Sequence, residues 1–186
     1  ELRKVLSLER LKQLDRQLET GTDLPPLTLD NVNAMLASNL ENLEKFAEEK
    51  IHEDYEYLRP ERSKLKTNEK SVAAGIGSKV ILSWAVEKTW SGGGFSVNYH
   101  RRDQIRAVDQ VFHLLDGQKP ANEYDGALTT AISQQTKNGG GLAETQYFRA
   151  KCCQNHNLHL EFKRADLVRL FNLVAGGMRL TAARAA

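Results

Sequence analysis

Apolar side chains recur at Leu2, Val5, Leu6, Leu11, Leu14 and Leu18, a helical spacing that leaves one oily stripe and predicts a helix over residues 2–19. Gly21 and the Pro25-Pro26 pair end it, because neither proline can continue a helix. A second stripe runs through Val32, Leu36, Leu40, Leu43, Ala47, Ile51, Tyr55 and Leu58 in steps of three and four. With Thr28 as its cap and Pro60 as its stop, it predicts one helix of about 30 residues. Asp30 falls in its first turn, at the positive end of the helix dipole. Two such helices across a short proline loop predict an antiparallel hairpin over residues 1–62.

Beyond Pro60 the pattern changes. Residues 63–78 are polar and carry Gly75 and Gly77, as a loop does. The β-branched and aromatic run Lys79–Val86 and the alternating Phe95, Val97, Tyr99 read as strands around Gly92-Gly93-Gly94. Asp103 is expected to cap a helix carrying Ile105, Val108, Val111, Phe112 and Leu115, which Gly117 closes. After a loop over residues 120–126, a shorter helix spans 127–135, and 137–141 break the chain again. A second strand pair, Tyr147–Cys153 and Leu158–Phe162, flanks an Asn155-His156-Asn157 turn. Asp166 then caps a last helix, ended by Gly176-Gly177.

The two strand-pair segments echo one another. Each runs strand, turn, strand, an Arg-x-Asp (Arg101-Arg102-Asp103, Arg164-Ala165-Asp166), helix and glycine. The aspartates have helix N–H groups to satisfy, while the arginines are available for phosphate, carboxylate or solvent. The expected fold is therefore α+β: a long N-terminal helical hairpin, then two ββα units forming a small antiparallel sheet with helices on one face. Residues 63–180 are expected to pack with the hairpin as one domain, and the alanine-rich 181–186 to fray as a tail.

Hydrophobic residues make up 40% of the chain and charged residues 27%, which excludes a disordered polyelectrolyte. No apolar run is long enough for a membrane span, and no charged-then-apolar leader is visible, so a cytoplasmic protein is expected. Cys152 and Cys153 are neighbours on an expected strand and point to opposite faces, poorly placed to bridge or to share a metal. No metal and no cofactor is expected, since zinc spacing, a Walker loop, a nucleophile elbow and a methyl-donor glycine turn are all missing. The net charge of +2 conceals a gradient: residues 1–62 hold nine basic and 14 acidic side chains, residues 145–186 seven and two. A basic end can follow phosphates.

The densest polar cluster is Asn155-His156-Asn157-Leu158-His159, followed by Glu161, Lys163 and Arg164. On a strand His159, Glu161 and Lys163 share a face, opposite Leu158, Leu160 and Phe162. His159 as acid or base, with Glu161 as its counterpart, could serve metal-independent phosphodiester cleavage. The blander reading is a solvated strand face. A ββα-metal nuclease is not supported, because its residues are spread over both strands and the helix. Arg101, Arg102, Arg149, Lys163 and Arg164 are the candidate phosphate contacts. Trp84, Trp90, Tyr99 and Tyr147 offer faces for base stacking, although aromatic strand residues more often pack in a core. His113 reads as a packed histidine at a helix end.

Several runs carry a family likeness: Thr28-Leu29-Asp30-Asn31-Val32, Gly77-Ser78-Lys79-Val80-Ile81, Val111-Phe112-His113-Leu114-Leu115-Asp116-Gly117, Tyr147-Phe148-Arg149, and above all the block from Asn157 to Val168. From Leu29 onward their order resembles a bacterial and phage family, domain of unknown function forty-nine forty-two. The family pattern has glycine where His156 stands and proline where Ala165 stands, so the resemblance favours His159 over His156 as a shared functional residue. It implies a setting on phages, plasmids and genomic islands, some members lying beside or fused to DNA-methyltransferase-like segments. It implies no activity.

Three readings follow. The first is an accessory domain of a mobile-element, anti-phage or DNA-modification system, contacting nucleic acid through the basic back half. The second is a small nuclease using His159. The third is a protein-interaction module, pairing with a partner or with itself through residues 1–62.

Overall fold

The computed structural model describes residues 6–21, 26, 28–59, 75–90, 93–119, 125–137 and 139–186. The first helix's opening at Leu2 and Val5, the Pro25 and Pro60 stops, and the loop stretches 63–74, 91–92 and 120–124 lie outside the described residues.

Helix α1 (Leu8–Thr20) is capped by the Ser7 hydroxyl, which accepts from Arg10 N–H at 3.3 Å, and closes on Gly21 in the left-handed region at φ 63. Thr28 caps α2 (Leu29–Glu41), its Oγ1 accepting from Asn31 N–H at 3.3 Å. The expected single long helix is instead two, because α2 stops at Asn42 and α3 (Leu43–Leu58) begins after it. The Asn42 side-chain amide donates to the Ser38 carbonyl at 2.7 Å, the oxygen that also accepts the Asn42 backbone N–H at 3.1 Å. Helix α1 meets α3 through side-chain contacts. Lys50 Nζ reaches the Leu6 carbonyl, while Arg10 makes two bonds to Glu49, at 2.9 and 3.0 Å, and covers the Phe46 ring.

The strands form two antiparallel sheets. β1 (Lys79–Leu82), β4 (Leu142–Glu144), β5 (Phe148–Cys152) and β6 (Leu158–Phe162) make a four-stranded sheet in the order β1-β6-β5-β4. β2 (Val86–Lys88) and β3 (Phe95–Val97) pair only with each other. The antiparallel α+β architecture is the one expected, but the strand pairs do not lie side by side as equal units. The Lys79–Val86 run turns after Leu82, where Trp84 takes φ 55, and Tyr99–Arg101 is a 3-10 turn rather than strand. β4, just after the 137–141 chain break and in a stretch where the sequence pattern predicts no element, supplies the sheet's far edge.

Helices α4 (Arg102–Leu115), α5 (Ala127–Gln135) and α6 (Ala165–Ala175) join α3 around the buried sheet face. Neither aspartate is a cap: Arg101 and Arg164 occupy the cap positions, and Asp103 and Asp166 are the second residues of α4 and α6. Ala165 is the first residue of α6, a position where proline is at ease because its missing N–H would be unpaired anyway. The chain end does not fray. It forms α7 (Leu180–Ala185), with Leu180 and Ala183 buried and the Leu180 and Thr181 N–H groups donating to Glu48 and Glu44 of α3 at 2.9 and 3.0 Å.

Alternation in β5 and β6 puts Phe148, Ala150, Cys152, Leu158, Leu160 and Phe162 inward. At the centre of the core Phe112 meets Phe148, Phe162, Phe171 and Tyr147 with ring centroids 5.0–6.3 Å apart. Thr136, fully buried at the end of α5, ties this body to the small sheet: its Oγ1 accepts from Phe95 N–H at 2.8 Å and donates to Ile132 O at 2.7 Å. Thr136→Val keeps the shape and strands the Phe95 donor, so it should cost about 1–3 kcal/mol in urea unfolding. A variant as stable as the parent would show that this bond does not matter.

Candidate nucleic-acid interface

The face of the large sheet opposite the core carries two cross-strand rows. Lys79 faces Glu161, Glu161 faces Arg149 and Arg149 faces Glu144, alternating in sign. In the next row Ile81 faces His159, His159 faces Lys151 and Lys151 faces Leu142. This is the outward face expected for His159, Glu161 and Lys163. Burial, then the Lys79 and Lys151 ammonium groups, push the His159 imidazole below its ordinary 6.5. Its ring has no hydrogen-bond partner among the described residues, whereas Glu161 leans on Arg149 at 3.8 Å.

Most of the predicted phosphate contacts are already paired. Lys163 holds Glu144 at 3.0 Å, which lowers the Glu144 pKa, and Arg149 approaches the same carboxylate at 3.6 Å. Arg164 lies between Asp166 at 2.6 Å and Asp116 at 3.2 Å, and the Asp166 bond holds its guanidinium firmly charged. Arg102 faces Asp125 at 3.6 Å. Arg101 differs: among the described residues no carboxylate and no hydrogen-bond acceptor meets its side chain.

Arg101 lines a cavity of about 340 Å³ together with Tyr57, Arg59, Ile81, Leu82 and Ser83. His159, Glu161 and Lys163 line neither this cavity nor those beside Arg169 and Arg179. Exposed rings stand next to its walls in the chain, Trp84 after Ser83 and Tyr99 with His100 before Arg101. Asn98 N–H donates to Ala85 O at 3.0 Å, which brings the Trp84 and Tyr99 segments together. Tyr147, by contrast, is core, its hydroxyl donating to Asp116 at 2.9 Å and its ring meeting buried His113 edge-on.

Trp84 stacks on His156, with ring centroids 5.0 Å apart and planes 8° from parallel. These are the non-glycine residues at positive φ among those described, 55 and 67. The turns are clipped together, since His156 O accepts from Ala85 N–H at 2.9 Å and Val86 N–H at 3.2 Å, and His156 Nδ1 lies 3.2 Å from Val86 O.

Sequence reasoning missed Lys50 and Asp54, which lie one turn apart on the buried stripe of α3. Their signal was present, as charges at stripe positions beside Ala47, Ile51 and Leu58. Burial raises the Asp54 pKa from 3.8 to about 7 despite the nearby Lys50 charge, and its Oδ2 has no hydrogen-bond partner among the described residues. Burial also lowers the Lys50 pKa. Tyr57, on the cavity wall, is pushed up to about 12, again by burial.

With the geometry in place, the comparison with known proteins adds one match: the model for the domain of unknown function family DUF4942 fits residues 1–180. The chain belongs to that family. No curated protein and no solved structure matches it. Among its described residues the DUF4942 chain has no helix long and apolar enough to cross a membrane, and no group of three or more His, Cys, Asp or Glu side chains placed to hold a metal ion.

The Asp54 shift has a definite sign. With a folded pKa of about 7 above its ordinary 3.8, the carboxyl keeps its proton longer folded than unfolded. Its contribution is present in full at low pH and is lost as pH climbs through 7. Replacing both charges, Lys50→Met with Asp54→Leu, should flatten the fall in stability between those two values and leave the protein at least as stable near neutrality. Urea midpoints measured across that range test this; parallel curves for parent and variant would refute it.

Proposed function

We propose that this domain contacts nucleic acid through its basic back half, as an accessory part of a phage, plasmid or genomic-island system for defence or DNA modification. The setting comes from the family resemblance. The contact rests on one observation: Arg101, alone among the five predicted cationic contacts, has no acidic partner among the described residues, and it lines a cavity with a second arginine. A guanidinium left without an anion is suited to phosphate, to which it can donate two parallel hydrogen bonds. The outward sheet face adds Lys79 and Lys151, neither of them in an ion pair with a described residue.

The nuclease reading has less support. His159 and Glu161 share a face, yet Glu161 is engaged with Arg149 and no described cavity brings a substrate to them. A solvated face accounts for both.

Binding to labelled DNA or RNA, followed by fluorescence anisotropy, should be tight at low salt and weaken steeply as salt rises. Arg101→Gln should lower affinity and reduce the salt slope by about 1. Glu144→Gln should act in the opposite sense, because it releases Lys163 and Arg149 from the carboxylate they share. A parent protein that binds no nucleic acid at low salt would end the proposal.

A further inference from the structure

We infer that the ligand is single-stranded nucleic acid, one unpaired base stacking on the outer face of Trp84 while an adjoining phosphate is held by Arg101. This deepens the nucleic-acid reading and depends on it.

The indole is the starting point. Trp84 is 66% exposed, an unfavourable place for a large apolar ring, and its backbone lies in the left-handed region where glycine would sit without strain. Its partner His156 has the same conformation. Strained residues persist only where their surroundings fix them, and here two turns far apart in sequence, at the same end of the paired strands β1 and β6, are locked together by the His156 carbonyl. The imidazole covers one side of the indole at 5.0 Å. The result is a supported aromatic platform whose other side is open, the arrangement that proteins use to stack nucleobases regardless of sequence.

The charge beside it fits the same ligand. Ser83 and Arg101 line one cavity, and each adjoins an exposed ring in sequence, Trp84 and His100 respectively. Arg59, ion-paired with Glu56 at 2.9 Å, stands on the same wall. A nucleotide joins a flat base to a phosphate over a short span, and the pairing of indole with guanidinium answers both parts. In a duplex the base faces are buried in the stack, so a ring on a tight turn has no face to meet. Only an unpaired strand presents one.

The test compares three probes on the full chain: a labelled oligodeoxythymidylate, its duplex with oligodeoxyadenylate, and thymidine monophosphate as competitor. The parent should prefer the single strand, and the monophosphate should compete poorly. Trp84→Ala should weaken single-strand binding on the order of ten-fold or more while leaving duplex binding unchanged, and Trp84→Phe should restore most of the loss. His156→Gly, which removes the supporting ring and suits the positive φ, should give a partial loss. Trp90→Ala, at an exposed ring away from the cavity wall, serves as control, and thermal melts confirm that each variant folds. Equal losses for strand and duplex, or for Trp84→Ala and Trp90→Ala, would overturn the inference while leaving nucleic-acid binding intact. Strong competition by the monophosphate would reassign the site to a free nucleotide. A parent that binds none of the probes at low salt would remove both this inference and the reading beneath it.

Discussion

Phe112 sits where helix and sheet meet, its ring fully buried and within 6.3 Å of four other aromatic rings. Those rings come from β5, β6, α6 and the residue before β5, so a single contact fixes the sheet against two helices. Each pairing is worth about 0.5–1.5 kcal/mol beyond the area it buries. The larger consequence is polarity. Once Phe148 and Phe162 turn inward, period-two geometry forces Arg149, Lys151, His159 and Glu161 to the other side. The charged face is thus a by-product of the core, and a register slip by one residue would reverse both.

A charged face need not be an available one. Residues 145–186 hold seven basic and two acidic side chains, which by composition alone reads as a phosphate-binding end. The fold brings in carboxylates from elsewhere: Asp116 to Arg164, and Glu144 to Lys163 and Arg149. These solvent-exposed pairs add little stability. Their effect is to dictate which cations still seek an anion. That selection singles out Arg101, which counting charge along the chain could not distinguish from its neighbour Arg102.

Much of the architecture was legible in short-range pattern. The β5 and β6 alternation, the Thr28 cap, the Gly21 and Gly117 stops and the α4 stripe all express local periodicity or capping, and each appears where its residues place it. The misreadings share a different cause. The stripe from Val32 to Leu58 is unbroken, so nothing in hydrophobic spacing marks the break at Asn42, where the Ser38 carbonyl accepts from both the backbone and the side-chain amide. The run from Val80 to Val86 likewise reads as one strand, and only the docked His156 turn explains why it bends at Trp84. Pairing across the sheet was also beyond local reasoning, since β1 and β6 lie far apart in sequence, with β2 to β5 and the helices α4 and α5 between them. The candidate site followed suit: the facing of His159 and Glu161 was readable, but the cavity at Arg101, built from three distant segments, was not.

The two strained turns link these strands of reasoning. A left-handed residue that is not glycine carries a conformational cost of about 1–3 kcal/mol, so Trp84 and His156 together represent a substantial concession in a fold of ordinary stability. Packing does not require it, because the indole is mostly exposed and a glycine would serve the turn as well. The stack between them offsets part of the cost, but an aromatic pair at an exposed site returns no more than it would elsewhere on the surface. Had the turns served only to join strands, glycine at either position would be the lower-energy solution. The rings at these positions are the starting point of the inferred base-stacking role, and Arg101, without an acidic partner among the described residues, supplies the phosphate half of that proposal.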